Sequence, residues 1–168
     1  MTGLGRKLLV AIGHQYRLTL LAVPLHLKPL HPDPCYDDGL LLSQLPRLES
    51  VLHDNPHVDV VVSSTWRFKR SITRLRELFS PSIQPRIIDV TPERRDFPDL
   101  ADIIGHTYER SIEIEAWMRY SREPWRQWVA LDDKAHWFRP FCKNLILCNP
   151  ATGMDDQVEL RLRQNLAR

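Results

Sequence analysis

The sequence V-D-V-V-V-S-S-T at Val58–Thr65 decides the fold class of this chain. Its first five residues are nearly all β-branched, which is typical of a strand covered by helices on both faces. Four further apolar runs are predicted strands: Leu18–Val23, Arg86–Val90, Trp128–Leu131 and Leu145–Leu147. The chain is therefore expected to contain about five strands.

Helices are predicted between and after these strands, because apolar residues recur there at helical spacing. The first two predicted helices span about residues 41–55 and 68–79. A third begins near Thr107 and carries Ile114, Trp117 and Met118, and a last one opens at Thr152 and carries Val158, Leu162 and Leu166. Thr107 is expected to cap the third of them, and Thr152 with Asp155 to form a capping box for the last. The alternation of strands and helices predicts an α/β fold with a mostly parallel sheet and helices on both faces.

The bulk composition excludes several classes of protein. The chain has 168 residues, of which 43% are hydrophobic and 26% charged, so one soluble globular domain is expected. The formal net charge of +2 indicates no strong field for a nucleic acid or a membrane surface. The three cysteines are scattered and fit neither a metal-ligand spacing nor a disulfide framework, which favours a reduced, cytoplasmic protein. No apolar run approaches the length of a membrane span.

Polar residues follow the predicted strands at the edge where parallel α/β sheets gather their functional groups. Ser63 and Ser64 follow the second strand, Asp132 and Asp133 follow the fourth, and Arg110 opens a helix. Hydroxyls and arginine bind phosphate oxygens, and carboxylates hold Mg²⁺. The alternative is that the serines cap a helix, the aspartates form a solvated turn and the arginine is an exposed helix residue.

Three motifs in this order carry a resemblance to a known family: V-V-V-S-S-T-W-R (Val60–Arg67), W-V-A-L-D-D (Trp128–Asp133) and L-I-L-C-N-P-A-T-G-M (Leu145–Met154). Together they resemble a branch of the haloacid dehalogenase (HAD) superfamily that is similar to the HAD domain of Swiss Army knife RNA-repair proteins. The resemblance implies a Rossmann-like fold with a minimal cap, built from short inserts around Cys35–Leu42 and Thr91–His106.

The resemblance also implies an activity, that of a Mg²⁺-dependent phosphohydrolase. In such an enzyme Ser63 and Ser64 would bind the phosphoryl oxygens and Arg110 would steady the intermediate. Asp132 and Asp133 would hold the metal. The substrate class that follows is a phosphorylated small molecule or a nucleic-acid end.

The first motif of the family, D-x-D-G-V-L-H-P, is missing. Its two aspartates fall on Leu25 and Leu27 when His31-Pro32 is aligned without a gap, and on His26 and Lys28 with a one-residue gap. Residues 1–32 contain no Asp or Glu at all. The family's first aspartate attacks phosphorus and its second acts as general acid and base, so hydrolysis is expected to be weak or absent.

Two explanations account for this departure. Either catalysis has been lost, or residues 1–30 do not derive from the family's own first strand, as after a shifted reading frame or a wrong start site. The chain therefore divides into an atypical segment 1–30 and a HAD-like domain 31–168, within one domain overall. A non-catalytic module that binds phosphate, a nucleotide or nucleic acid is the alternative function.

A basic cluster on the predicted helix 68–79 and its start supports the nucleic-acid alternative: Arg67, Lys69, Arg70, Arg74 and Arg76. The competing interpretation is a solvated helix face, which Glu77 favours. The oligomeric state cannot be predicted from the sequence.

Overall fold

A computed structural model describes residues 8–12, 44–93, 96, 108–150 and 152–167. Its strands are listed in chain order: β1 (Leu8–Ile12), β2 (Val58–Val62), β3 (Ile87–Val90), β4 (Gln127–Asp132) and β5 (Leu145–Leu147). They lie in the order β3-β2-β1-β4-β5, and every neighbouring pair is parallel. The central strand β1 pairs with β2 on one side and with β4 on the other. The predicted parallel α/β architecture is confirmed.

The register of β1 aligns the carboxyl ends of the three central strands. Ile12 pairs with Val62 of β2 on one side and with Leu131 of β4 on the other. Ser63 follows Val62 directly, and Asp132 follows Leu131. The hydroxyl and carboxylate groups predicted from the sequence therefore stand at one edge of the sheet, on either side of β1.

The position of the first strand differs from the prediction. The central place in the sheet is taken by Leu8–Ile12, whereas the sequence favoured Leu18–Val23, which lies outside the described residues. Both segments are short apolar runs, and periodicity alone does not distinguish them. The central strand is identified by its pairing with β2 and β4, which depends on contacts between residues far apart in the sequence.

The helices of the described ranges are α1 (Leu45–Asp54), α2 (Ile72–Arg76), α3 (Glu109–Tyr120) and α4 (Asp156–Leu166). The larger core cluster joins side chains of α1, α2 and α4 to one face of the sheet, which presents Val60, Val62, Val129 and Leu131. The smaller cluster joins α3 to the opposite face, through Val61 and Ala130. The prediction of helices on both faces is confirmed.

Three predicted helix starts are wrong. The segment 68–79 is not one helix, because a 3₁₀ turn at Thr65–Phe68 is followed by a new start, where the Ser71 hydroxyl accepts from the backbone N–H of Arg74. The residue that precedes α3 is Tyr108, in the left-handed region with φ 63°, and its side chain makes no capping bond. The predicted capping box that opens at Thr152 is also wrong: Asp155 is itself the N-cap of α4, accepting from two backbone N–H groups, and the helix begins at Asp156. No helix within the described ranges is both long and apolar enough to cross a membrane.

Candidate functional site

Ser63 lies at the centre of the polar groups that gather at the carboxyl edge of the sheet. It is fully buried, directly after β2. Its Oγ accepts hydrogen bonds from Arg110 Nη1 at 3.0 Å and from Thr91 Oγ1 at 3.1 Å. Since a serine hydroxyl has two acceptor lone pairs and one proton, the proton of Ser63 is left to donate. A phosphoryl oxygen is a suitable acceptor for it.

Arg110 links the two sides of the sheet edge. It is the second residue of α3 and is 3% exposed. Its Nη1 donates to the carbonyl and hydroxyl oxygens of Ser63 and, at 2.9 Å, to Glu113 Oε2. Its Nε lies 3.7 Å from Asp132 Oδ2, and its guanidinium carbon lies 5.2 Å from the ring centre of Trp137. The helix thus places a fixed positive charge between β2 and β4.

Glu113 and Arg67 complete this buried network, and sequence reasoning missed the role of both. Arg67 Nη2 donates to Glu113 Oε1 at 2.6 Å, and its Nη1 donates to the carbonyl oxygens of Ser63 and Ser64 at 2.6 and 3.1 Å. Burial, followed by the charge of Arg110, lowers the pKa of Arg67 to about 10. One carboxylate therefore holds two guanidiniums beside Ser63. The sequence signal for this was the i,i+3 spacing of Arg110 and Glu113.

Asp132 and Asp133 lie at the end of β4 in different surroundings. Asp132 Oδ1 accepts the backbone N–H of Lys134 at 2.8 Å, and its Oδ2 faces Arg110. The side chain of Asp133 is 0% exposed, and among the described residues neither of its oxygens accepts a well-formed hydrogen bond. Its nearest cation is Lys134 Nζ, at 3.5 Å. Burial raises the pKa of Asp133, and the charge of Lys134 offsets this only in part.

Ser64 has a different surrounding from Ser63. Its hydroxyl accepts the backbone N–H of Trp66 at 3.3 Å and so caps the 3₁₀ turn. This matches the alternative reading of the serine pair as a helix cap. Leu25 and Leu27, where the family's aspartates were expected, lie outside the described residues, as does the insert at Cys35–Leu42.

The described residues do not fit Mg²⁺. That ion prefers six oxygen ligands in near-octahedral geometry. Across residues 8–12, 44–93, 96, 108–150 and 152–167, no group of three or more His, Cys, Asp or Glu side chains could hold a metal ion. Asp132 and Asp133 are two acidic ligands from one strand end, and each already faces a cation, Arg110 or Lys134.

We expect Asp133→Asn to stabilise the fold by about 1–2 kcal/mol at pH 7, because it removes a buried carboxylate that has no good hydrogen bond. A carboxyl whose folded pKa is raised stabilises the fold fully below its unfolded pKa, and that stability is lost as the pH rises through the folded value. The gain should therefore shrink towards about pH 4. Urea unfolding at both pH values measures it. Asp54→Asn, at an exposed ion pair with Arg163, is the control and should show no gain; a loss of stability in Asp133→Asn at pH 7 would contradict the prediction.

Much of the basic cluster that suggested nucleic-acid binding is engaged within the protein. Arg67 is buried, Arg74 pairs with Glu77 at 2.7 Å, and Arg76 Nε donates to the carbonyl oxygen of Ile87 at 2.7 Å. The guanidinium carbon of Arg70 lies 4.4 Å from the ring centre of Trp66. These contacts favour a structural role over a free basic surface.

Comparison with known proteins gives one match. The family described as the HAD domain in Swiss Army Knife RNA repair proteins matches residues 25–158 of the 168. Neither the curated proteins nor the solved structures yield a match. The matched range includes β2 to β5 and every residue of the buried network, and it begins after β1. The chain belongs to this family, within the HAD superfamily.

Proposed function

We propose that this chain is a HAD-family domain that binds a phosphate group at the carboxyl edge of its sheet and does not hydrolyse phosphomonoesters. The observation that carries the proposal is a contrast at the carboxyl edge of the sheet, between the residues at the ends of β2 and β4 and the residues after β1. After β2, and at the end of β4, the family's phosphate-binding and acidic residues are present. After β1 comes Gly13-His14-Gln15, with no carboxylate.

The absence of a nucleophile supports the loss of hydrolysis. Family membership implies an aspartate that attacks phosphorus and a second that transfers the proton. Neither the residues after β1 nor Leu25 and Leu27 supply one, and residues 1–32 have no acidic side chain. Leucine has no lone pair to attack with, and the gapped alignment supplies His26 and Lys28, neither of which is a carboxylate. The aspartyl-phosphate step of the family therefore has no starting group in either alignment.

The polar groups that remain support the binding of phosphate. The Ser63 proton is available, and Arg110 lies within hydrogen-bonding distance of the same hydroxyl. Lys134 adds a second positive charge beside Asp133. Arginine and lysine are the usual partners of phosphate oxygens, arginine by two parallel hydrogen bonds and lysine as a point charge. Binding that involves no covalent step needs only these groups.

The proposal is tested by two measurements on the same purified protein. With Mg²⁺ and p-nitrophenyl phosphate, we expect turnover no faster than that of Asp132→Asn. Inorganic phosphate at about ten times its dissociation constant should raise Tm by about 3–5 °C over NaCl of equal ionic strength. Ser63→Ala should lose this rise. Ser111→Ala, at another buried serine, whose Oγ accepts from the backbone N–H of Arg139, should keep it.

Two outcomes would overturn the proposal. Rapid Mg²⁺-dependent hydrolysis by the wild-type chain would show that catalysis persists. A phosphate response that is absent, or equal in Ser63→Ala and the wild type, would show that the strand-end residues do not bind phosphate.

A further inference from the structure

We infer that the acidic pair Asp132–Asp133 is held by the protein's own cations in place of Mg²⁺, so that this site binds phosphate without a metal. The phosphate half of the inference rests on the proposed function. The metal half rests only on the contacts of the two carboxylates.

Asp132 already has a cation of the chain beside it. Its side chain is fully buried; Oδ1 accepts the backbone N–H of Lys134, and Oδ2 forms an ion pair with Arg110 Nε at 3.7 Å, beyond hydrogen-bonding distance. Mg²⁺ gives up its water ligands reluctantly and usually keeps several of them. A hydrated ion at this position would have to displace a guanidinium that is fixed on its other side by Glu113 and Ser63.

The oxygens of Asp133 accept no well-formed hydrogen bond among the described residues, but the ammonium group of Lys134 lies beside them. The ammonium group lies 3.5 Å from Asp133 Oδ2. An ion bound to the same carboxylate would lie close to that ammonium, and the like charges would repel each other in a buried, weakly screened place. The carboxylate is thus compensated by one fixed positive charge of the chain.

No third acidic side chain joins Asp132 and Asp133 among the residues that the structure describes. The segment 1–32, which includes the central strand β1 and the residues directly after it, contains neither Asp nor Glu. The loss of acidic residues around β1 and the internal pairing of Asp132 and Asp133 both lower the affinity for a dication. Without a metal ion, the anion would be held by hydrogen bonds from the Ser63 hydroxyl and the Arg110 guanidinium, because the charge of Lys134 is offset by Asp133.

Isothermal calorimetry with MgCl₂, and electron paramagnetic resonance with Mn²⁺, test the metal half on the full chain without phosphate. We expect no binding up to about 10 mM, and a Tm change within about 1 °C of that in NaCl of equal ionic strength. In Lys134→Ala the repelling ammonium is gone, and Mn²⁺ affinity should rise at least about tenfold, into a measurable range. Wild-type binding of either ion that Asp133→Asn abolishes would overturn the inference, as would Lys134→Ala with no gain.

The phosphate half is tested by titrating inorganic phosphate in EDTA and in 5 mM MgCl₂. The dissociation constant should agree within about twofold between the two. Phosphate binding that disappears in EDTA would overturn the inference and leave the proposed function standing. If no phosphate binding is measured in either solution, the proposed function is overturned. The metal titrations then decide the inference alone.

Discussion

Replacing Arg110 by alanine is expected to cost about 3–5 kcal/mol of folding free energy, the range for breaking a buried ion pair from one side. Arg110 is 3% exposed, and its guanidinium contacts Ser63, Glu113 and Asp132. Its removal leaves the buried carboxylates of Glu113 and Asp132 with one cation fewer, and it leaves the Ser63 carbonyl with one donor fewer. Urea unfolding followed by circular dichroism measures the loss.

Arg139→Ala is the matched control for this substitution. Arg139 also pairs with a glutamate of α3, at 2.9 and 3.0 Å from Glu115, but the two side chains are 43% and 44% exposed. An exposed pair contributes about 0–1 kcal/mol, so the control should lose far less stability than Arg110→Ala. Equal losses in the two variants would mean that burial does not set the strength of the network.

Glu113→Gln separates the charge of the network from its packing. The amide keeps nearly the same volume but leaves Arg67 and Arg110 as adjacent buried cations without their shared carboxylate. If electrostatics hold the site together, this variant should be destabilised nearly as much as Arg110→Ala, whereas Glu115→Gln should be almost neutral. The comparison is made on one helix, so helix propensity contributes little to the difference.

The parts of the fold that the sequence predicted well are those whose local pattern permits one interpretation. Val58–Val62 is β-branched throughout apart from Asp59, and Leu145–Leu147 is a short apolar run preceded by Lys143 and Asn144; both strands lie where they were expected. The first strand was predicted at Leu18–Val23, outside the described residues, whereas Leu8–Ile12 takes the central place in the sheet; two apolar runs compete near the chain start. Only their pairing with β2 and β4 separates them, and pairing is a property of the whole sheet.

The candidate site was predictable to the extent that it follows from strand ends. Ser63, Arg110 and Asp132 were singled out by that rule, and the structure brings them together. Arg67 and Glu113 were not, because a charged residue on a helix is usually solvated. Their burial depends on how α3 and the 3₁₀ turn approach each other across the sheet edge, which no local pattern encodes. Burial also separates Asp133, whose pKa is raised, from an ordinary turn aspartate.

Restoring carboxylates to the chain should restore hydrolysis only where they follow the central strand. Gly13 comes directly after Ile12. In the sheet Ile12 pairs with Val62, the residue before Ser63, and with Leu131, the residue before Asp132. In Gly13→Asp/Gln15→Asp the family's spacing of nucleophile and acid–base group is recreated there, together with a third acidic ligand for Mg²⁺. The variant is made in the Lys134→Ala background, so that the ammonium beside Asp133 no longer repels the metal ion. We expect this variant to hydrolyse p-nitrophenyl phosphate about a hundredfold faster than the wild type, because both missing groups return.

Leu25→Asp/Leu27→Asp, made in the same Lys134→Ala background, is the competing variant, since the family match begins at Leu25 and the aspartates align there. The sheet already has a central strand that ends at Ile12, with parallel partners on both sides, so carboxylates at 25 and 27 should not gain activity. Activity in this variant and not in the first would mean that the segment before His31 takes the central place and that β1 is displaced from it. If neither variant gains Mg²⁺-dependent activity, the buried network of Arg67, Arg110 and Glu113 has changed too far to support phosphoryl transfer, and the loss of the nucleophile is then one of several changes in the same site.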